Sequence, residues 1–359
     1  MAIAHLAFLT PGSYAEASPL QGLHEALELF ALGEALGYQS AWVRQRHLER
    51  GVSSATTFLA AASQRTQRIA LGTAVIQMGY ENPFRLAEDL ATVDVLAQGR
   101  LQVGLSAGAP LYGDLLGERL LDGDASAVDF SHARVQRLRE NLRGDLIGDE
   151  DTFVESPAGR QRPRVQPHAP GLAQRLWYGG GSLRSARWAG ENGYHLLIGN
   201  LNRGEQTDDF FEAQRSQLAL YHAHWAGACA PRVALGRVIV PLDGADASTR
   251  ARYRTWAASR HGRTLAPQGE RRTLFARDLV GTADEILEHL RSDPIVPLVQ
   301  ELRLELPYDF SAAEYTQILS DTARLIAPEL GWVPASAVGD YRAARAAATS
   351  RPSSITAMA

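Results

Sequence analysis

The chain has 359 residues, 45% of them hydrophobic, and a formal net charge of −4. That length suits one large domain with its own core, and the charge gives no ground for expecting nucleic acid as a partner. A lone cysteine, Cys229, excludes an internal disulfide and fits a reducing compartment. No apolar run approaches the roughly 18 residues that span a membrane, and no basic leader precedes the first strand-like run, so a cytoplasmic protein is expected.

Residues 3–9 read as a first strand, with Thr10-Pro11-Gly12-Ser13 as the turn at its end. Residues 20–36 carry apolar positions at helical spacing and stop at Gly37. Residues 40–43 form a second strand that delivers Arg44-Gln45-Arg46-His47 into a loop, and residues 54–64 a second helix. Residues 69–76 are a run of little polarity, as a strand buried on both faces should be. Asn82 is an N-cap, Pro83 suits the first helical position, and Leu86, Ala87, Leu90, Val93, Leu96 and Ala97 make one helical face. Gly99 stops that helix, and residues 101–105 resume as a strand ending in Ser106-Ala107-Gly108. This strand–helix–strand unit implies parallel strands and a right-handed crossover.

Helices are expected over 129–142, 182–192, 206–225, 247–259, 283–292 and 312–326, and strands over 175–178, 194–198, 232–241 and 300–306. Residues 144–174, rich in Pro, Gly and Arg, break the rhythm, with 152–155 and 162–166 as a candidate hairpin. Residues 261–280 form a second polar, irregular insertion, a candidate mobile lid. Thr282 with Glu285 forms a capping box. The folded unit is expected to run over 1–334, with 335–359 as a poorly ordered tail.

The stretch RIALGTAVIQMGYENPFRLAEDLATVDVLAQGRLQVGLSAG resembles the signature of the bacterial-luciferase-like flavin monooxygenases. The match is specific at Leu71 to Val75, Arg85 to Asp94, Gly99-Arg100 and Gly179-Gly180-Gly181-Ser182. The resemblance implies a (β/α)8 TIM barrel with insertions and reduced flavin mononucleotide (FMN) as cofactor. It also implies a separate flavin reductase, a small organic substrate oxidised with O2, and a homodimer. The same fold with the deazaflavin F420, or a flavin-binding protein without catalysis, stands as the alternative.

Four loops carry the candidate site residues, because barrel enzymes place their sites where strands end. Gly180, Gly181, Ser182 and Ser185 open a helix, where glycines let the backbone approach an anion and free N–H groups favour one. The resemblance puts the flavin phosphate there; the plain alternative is a tight turn with Ser182 as N-cap. Thr73, Ala74 and Val75 end the third strand, and in relatives the peptide bond after the residue matching Ala74 can be cis beside the flavin ring. Ser106 and Ala107 end the fourth strand, and small residues there let a flat ring lie on the backbone. Luciferase has a phosphate-binding arginine where this chain has Ala107, so Arg160, Arg162, Arg164 and Arg175 are candidates for neutralising the phosphate.

Arg46 and His47 are the candidate catalytic residues. Luciferases carry a His-His pair here, and WVRQRH departs from it. His47 titrates near neutrality and suits proton transfer, whereas Arg46 stays charged and suits an anionic group. The alternative is that both are structural loop residues. No metal is expected, since the first strand lacks a His-x-His and His222 and His224 lie on nearly opposite helix faces. Asp94 and Arg100 read as a structural ion pair at the base of the barrel.

Overall fold

Local chemistry sets the elements of the computed structural model, which describes residues 3–335. The Asn82 side chain accepts from the N–H groups of Phe84 and Arg85 at 2.9 and 3.2 Å, starting the helix Pro83–Leu96. At its end Gly99 takes φ +79° and donates its N–H to the Asp94 carbonyl, as a left-handed C-terminal residue should. The Thr282–Glu285 capping box forms with both of its reciprocal bonds.

Among the described residues eight strands form the barrel: β1 (His5–Thr10), β2 (Ser40–Val43), β3 (Ala70–Gln77), β4 (Leu101–Ser106), β5 (Leu176–Gly179), β6 (His195–Ile198), β7 (Val233–Arg237) and β8 (Glu301–Glu305). They close a barrel in the order β1-β8-β7-β6-β5-β4-β3-β2, parallel at every ladder. The main helices are α1 (Pro19–Leu36), α2 (Ala55–Ser63), α3 (Pro83–Leu96), α4 (His132–Arg143) and α5 (Leu183–Glu191). The outer ring continues with α6 (Phe210–Ala223), α7 (Ala247–His261), α8 (Ala283–Ser292) and α9 (Ala312–Asp321). The expected TIM-barrel fold is therefore present.

Two cores share the work. The larger one lies between strands and helices; the smaller fills the barrel with Ala7, Leu9, Trp42, Ala74, Trp177, Leu197 and Ala234. Trp42 and Trp177 meet edge to face, with centroids 5.5 Å apart. β8 contributes charge to the interior through Glu301, Arg303 and Glu305, all buried.

Several boundaries differ from the sequence reading. The seventh strand does not run to Pro241. It leaves the barrel after Arg237, and Ile239–Pro241 pairs instead with Leu279–Gly281. The sixth helix begins at Phe210 rather than 206, because Asp209 caps it by accepting from the Glu212 N–H. The hairpin of the first insertion is tighter than expected, Val154–Ser156 with Gly159–Gln161. In the second insertion Thr273–Phe275 pairs antiparallel with Leu201–Arg203, so the expected lid is held by a small sheet. The expectation for the tail beyond residue 335 lies outside the described residues. Among the described residues no helix is long and apolar enough to cross a membrane.

Candidate functional site

All four sequence-identified loops open at the carboxyl ends of the barrel strands. β3, β4 and β5 are neighbours, and they bring the cofactor candidates together. A register shift between Thr73 and Ile76 marks a bulge in β3, and within it the Ala74–Val75 peptide bond is cis. Ala74 turns into the barrel beside the two tryptophans. Val75 packs close to Gly179, where an added Cβ would lie 3.3 Å from Cγ1 of Val75. Ser106 lies opposite Gln77, and the Ala107 N–H donates to the Tyr178 hydroxyl at 3.2 Å. The Thr73 hydroxyl is used on Gly104, accepting from its N–H at 2.9 Å and donating to its carbonyl at 3.0 Å. Thr73 therefore holds the β3–β4 seam and can offer a ligand only its backbone.

The glycine-rich loop leads from β5 into α5. Ser182 is the N-cap, accepting from the Ser185 N–H at 3.1 Å and donating to its hydroxyl at 2.9 Å. A Cβ on Gly180 would strike Leu196, whereas one on Gly181 would meet nothing within 4 Å, so open space lies beside Gly181. The start of α5 already carries an anion: the Glu205 carboxylate accepts from the Leu183 N–H at 2.6 Å. The Leu183 N–H at the start of this helix is thus engaged by a carboxylate of the protein itself.

Three of the four arginines considered for the flavin phosphate have partners elsewhere. Arg175 sits at the amino end of the barrel, bound to both oxygens of Asp94 at 2.7 and 2.8 Å. Asp94 thus pairs with Arg175, while buried Arg100 donates to the carbonyls of Ala97, Ile69, Ser63 and Thr66. Arg160 and Arg162 stack on Phe153 in the first insertion. Arg184, in the first turn of α5, acts electrostatically on His132 and Tyr178. His132 bonds to the Tyr178 hydroxyl at 2.9 Å and stacks on Trp188.

Arg46 and His47 diverge from one loop. Arg46 donates to the Tyr308 hydroxyl at 3.0 Å, after β8. His47 stacks on Tyr80, after β3, with centroids 3.8 Å apart. The Ala55 N–H binds the Gln45 carbonyl oxygen, which fixes the Gln45 amide and points its NH2 at Nε2 of His47, 3.1 Å away. His47 then accepts at Nε2 and carries its proton on Nδ1. Burial pushes the His47 pKa below its ordinary value, which favours this neutral form.

A charged cluster at the end of β8 escaped the sequence reading. Glu305 accepts from Arg44 at 3.0 Å and from Arg303 at 3.3 Å. With Arg46, Arg260 and Arg263, this corner lines a cavity of about 200 Å³. Arg46 and Tyr308 also line a neighbouring cavity of about 560 Å³, so their bond stands between the two. The available signal was the alternation Glu301-Arg303-Glu305 in the expected eighth strand.

Residues 1–293 match the sequence model of the luciferase-like monooxygenases. The limonene 1,2-monooxygenase of Rhodococcus erythropolis is 38% identical over 104 residues, covering 28% of this chain and 27% of that one. The oxygenase component of a flavin-dependent trigonelline monooxygenase from Acinetobacter baylyi is 26% identical over 188 residues, 51% of this chain and 50% of its own. The chain thus spans half or less of these curated relatives. In three dimensions it is similar to the oxygenating constituent of 3,6-diketocamphane monooxygenase from Pseudomonas putida, solved with FMN. The TM-score is 0.66 at 16% identity, over 92% of this chain and 99% of that one. It is also similar to the F420-dependent tetrahydromethanopterin reductase of Methanopyrus kandleri, with a TM-score of 0.60 at 14% identity, over 92% of this chain and 99% of that one. With its closed parallel barrel, its glycine-rich loop before α5 and a family match over most of its length, the chain belongs to the luciferase-like monooxygenase family.

Proposed function

We propose that this protein is a flavin-dependent monooxygenase that oxidises a small organic molecule with O2, with reduced FMN at the mouth of the barrel. The observation that carries this reading is the Glu205 carboxylate on the Leu183 amide, beside the open flank of Gly181. Gly180, Gly181, Ser182 and Ser185 would hold the phosphate, and Arg184 would supply the charge that Ala107 lacks. Ala74, Val75, Ser106 and Ala107 would leave a flat ledge for the ring. When bound in reduced form, the flavin supplies two electrons, so that one atom of O2 enters the substrate and the other becomes water.

The residues of this chain have separate tasks in the reading. Trp42 and Trp177 floor the site and exclude water from below. His47 offers a neutral ring whose Nε2 is held by Gln45, able to take a proton there once that bond opens. Arg46 presents a fixed positive charge across the mouth. A separate reductase supplies the reduced cofactor, and a homodimer is the working unit.

Equilibrium binding to FMN, riboflavin and F420 tests the proposal. FMN should bind at least tenfold more tightly than riboflavin and more tightly than F420, and reduced FMN should consume O2 in the presence of substrate. Equal affinity for FMN and riboflavin removes the phosphate assignment. Preference for F420 replaces oxygenation with deazaflavin chemistry.

A further inference from the structure

Five guanidinium groups crowd one corner of the barrel mouth. Arg44, Arg46, Arg260 and Arg263 line the 200 Å³ cavity, and buried Arg303 lies beneath it on β8. Their carboxylate partners are shared. Glu305 serves Arg44 and Arg303, and Asp278 serves Arg260 at 2.7 Å and Arg263 at 3.0 Å. Among the described residues the Arg46 guanidinium hydrogen-bonds the Tyr308 hydroxyl, and Glu49 acts on it only electrostatically. Asp309 also lies on the cavity wall, and Glu49 and Glu301 act electrostatically on Arg46 and Arg303.

Donors are left over as well. Among the described residues, the buried Nε–H groups of Arg44, Arg46, Arg263 and Arg303, and Nη1 of Arg303, have no hydrogen-bond partner. A buried donor without a partner is costly, and more so when charged. One such group is tolerable; three arginines of the cavity wall with spare donors, and Arg303 beneath them, point to a missing acceptor. Burial pulls the guanidinium of Arg263 below its ordinary pKa, with Asp278 opposing, as expected where positive charge is crowded. Trp256, Phe275, Val238 and Leu306 form the apolar part of the wall, beside the polar Asn200, Tyr308 and Asp309.

We infer that this corner binds the carboxylate of an apolar carboxylic acid, and that such an acid is the class of molecule presented for oxidation. A carboxylate matches the guanidinium fork and satisfies two donors at once. Its body fits among Trp256, Phe275 and Val238. The flavin phosphate, the other source of an anion, is assigned to the loop after β5, three strands away around the barrel from β8. The inference rests on the proposed oxidising site, because it names what that site acts on.

Calorimetric titration of the full chain at pH 7 tests it, with and without FMN. The probes are benzoate and 3-phenylpropionate against benzamide and 3-phenylpropionamide. The acids should bind at one site at least tenfold more tightly than the amides. Arg46→Gln and Arg263→Gln should each weaken the acids tenfold or more and leave FMN affinity within twofold. Arg46→Lys, which keeps the charge without the fork, should recover part of the loss. Acids that bind no better than amides, or not at all, overturn the inference even if FMN binds. If the arginine variants lose FMN affinity in step, and benzoate displaces FMN, these arginines hold the cofactor phosphate and the inference also falls. Acid binding by a chain with no affinity for any flavin would keep the anion site but remove the proposed oxidation.

Discussion

Glu305 stands at the end of β8 beside Gly236 of β7, where an added Cβ would lie 2.1 Å from its Oε1. The absence of a side chain at 236 is what lets one carboxylate reach both Arg44 and Arg303. Gly236→Ala should therefore push Glu305 off both arginines and destabilise the fold by roughly 1–3 kcal/mol, read as a lower urea midpoint. An unchanged midpoint would show that Glu305 has room to move. Ser182 caps α5, and in the proposed reading its hydroxyl would turn from Ser185 to the phosphate. Ser182→Ala should cost about 1 kcal/mol of stability through the cap and about tenfold in FMN affinity, while riboflavin binding stays level. Glu205→Gln should act the other way on FMN. Removing a like charge from the start of α5 should tighten FMN severalfold and leave riboflavin unchanged. If both flavins respond equally to Glu205→Gln, its carboxylate does not mark the phosphate position.

At the scale of elements, α8 depends on the reciprocal bonds of Thr282 and Glu285. Thr282→Ala should remove about 1 kcal/mol and lower Tm by roughly 1–3 °C in a thermal scan. Elements with their own punctuation were legible in the sequence. Asn82-Pro83 opened α3 and Gly99 closed it; Gly37 closed α1 with φ +89°. Elements set by distant partners were not. Residues 232–241 read as one strand because Val238, Ile239 and Val240 continue the apolar run. The break is made by a distant partner, where the Leu279 N–H donates to the Val238 carbonyl. The same limit applied to the site. The glycine loop and the Ala74 ledge are contiguous in sequence and could be named. The arginine corner is assembled from β2, α7, the second insertion and β8, and no local pattern joins them. Asp94 was paired with its near neighbour Arg100, whereas its carboxylate binds Arg175 on the adjacent strand's approach.

At the scale of the whole molecule, the amino end of the barrel is built around neutral histidines. His195 packs on Trp177 and Trp225 and accepts the Arg232 N–H at Nδ1, 3.3 Å away. Burial, with the Arg232 charge adding, lowers its pKa to about 4 against opposition from Glu301. His5, beside the same Glu301, is lowered too, chiefly by burial. Between the folded value near 4 and the unfolded value of 6.5, the unfolded chain binds more protons. Stability should thus be full above 6.5 and fall as pH drops through this window, by roughly 3 kcal/mol from His195 alone. Urea unfolding at pH 7.5 and pH 4.5 checks this. Wild type should lose more stability between the two than His195→Gln, and equal losses would refute the assignment.

In the proposed reading the mouth of the barrel holds a phosphorylated flavin by the loop between β5 and α5. A crystal structure of the full chain with FMN tests this most directly. The account requires a phosphate oxygen within hydrogen-bond distance of the Leu183 N–H and the Ser182 hydroxyl, with Glu205 displaced and the ring against Ala74 and Val75. A phosphate seated among Arg44, Arg46 and Arg263, or a ring away from the β3 bulge, would contradict it.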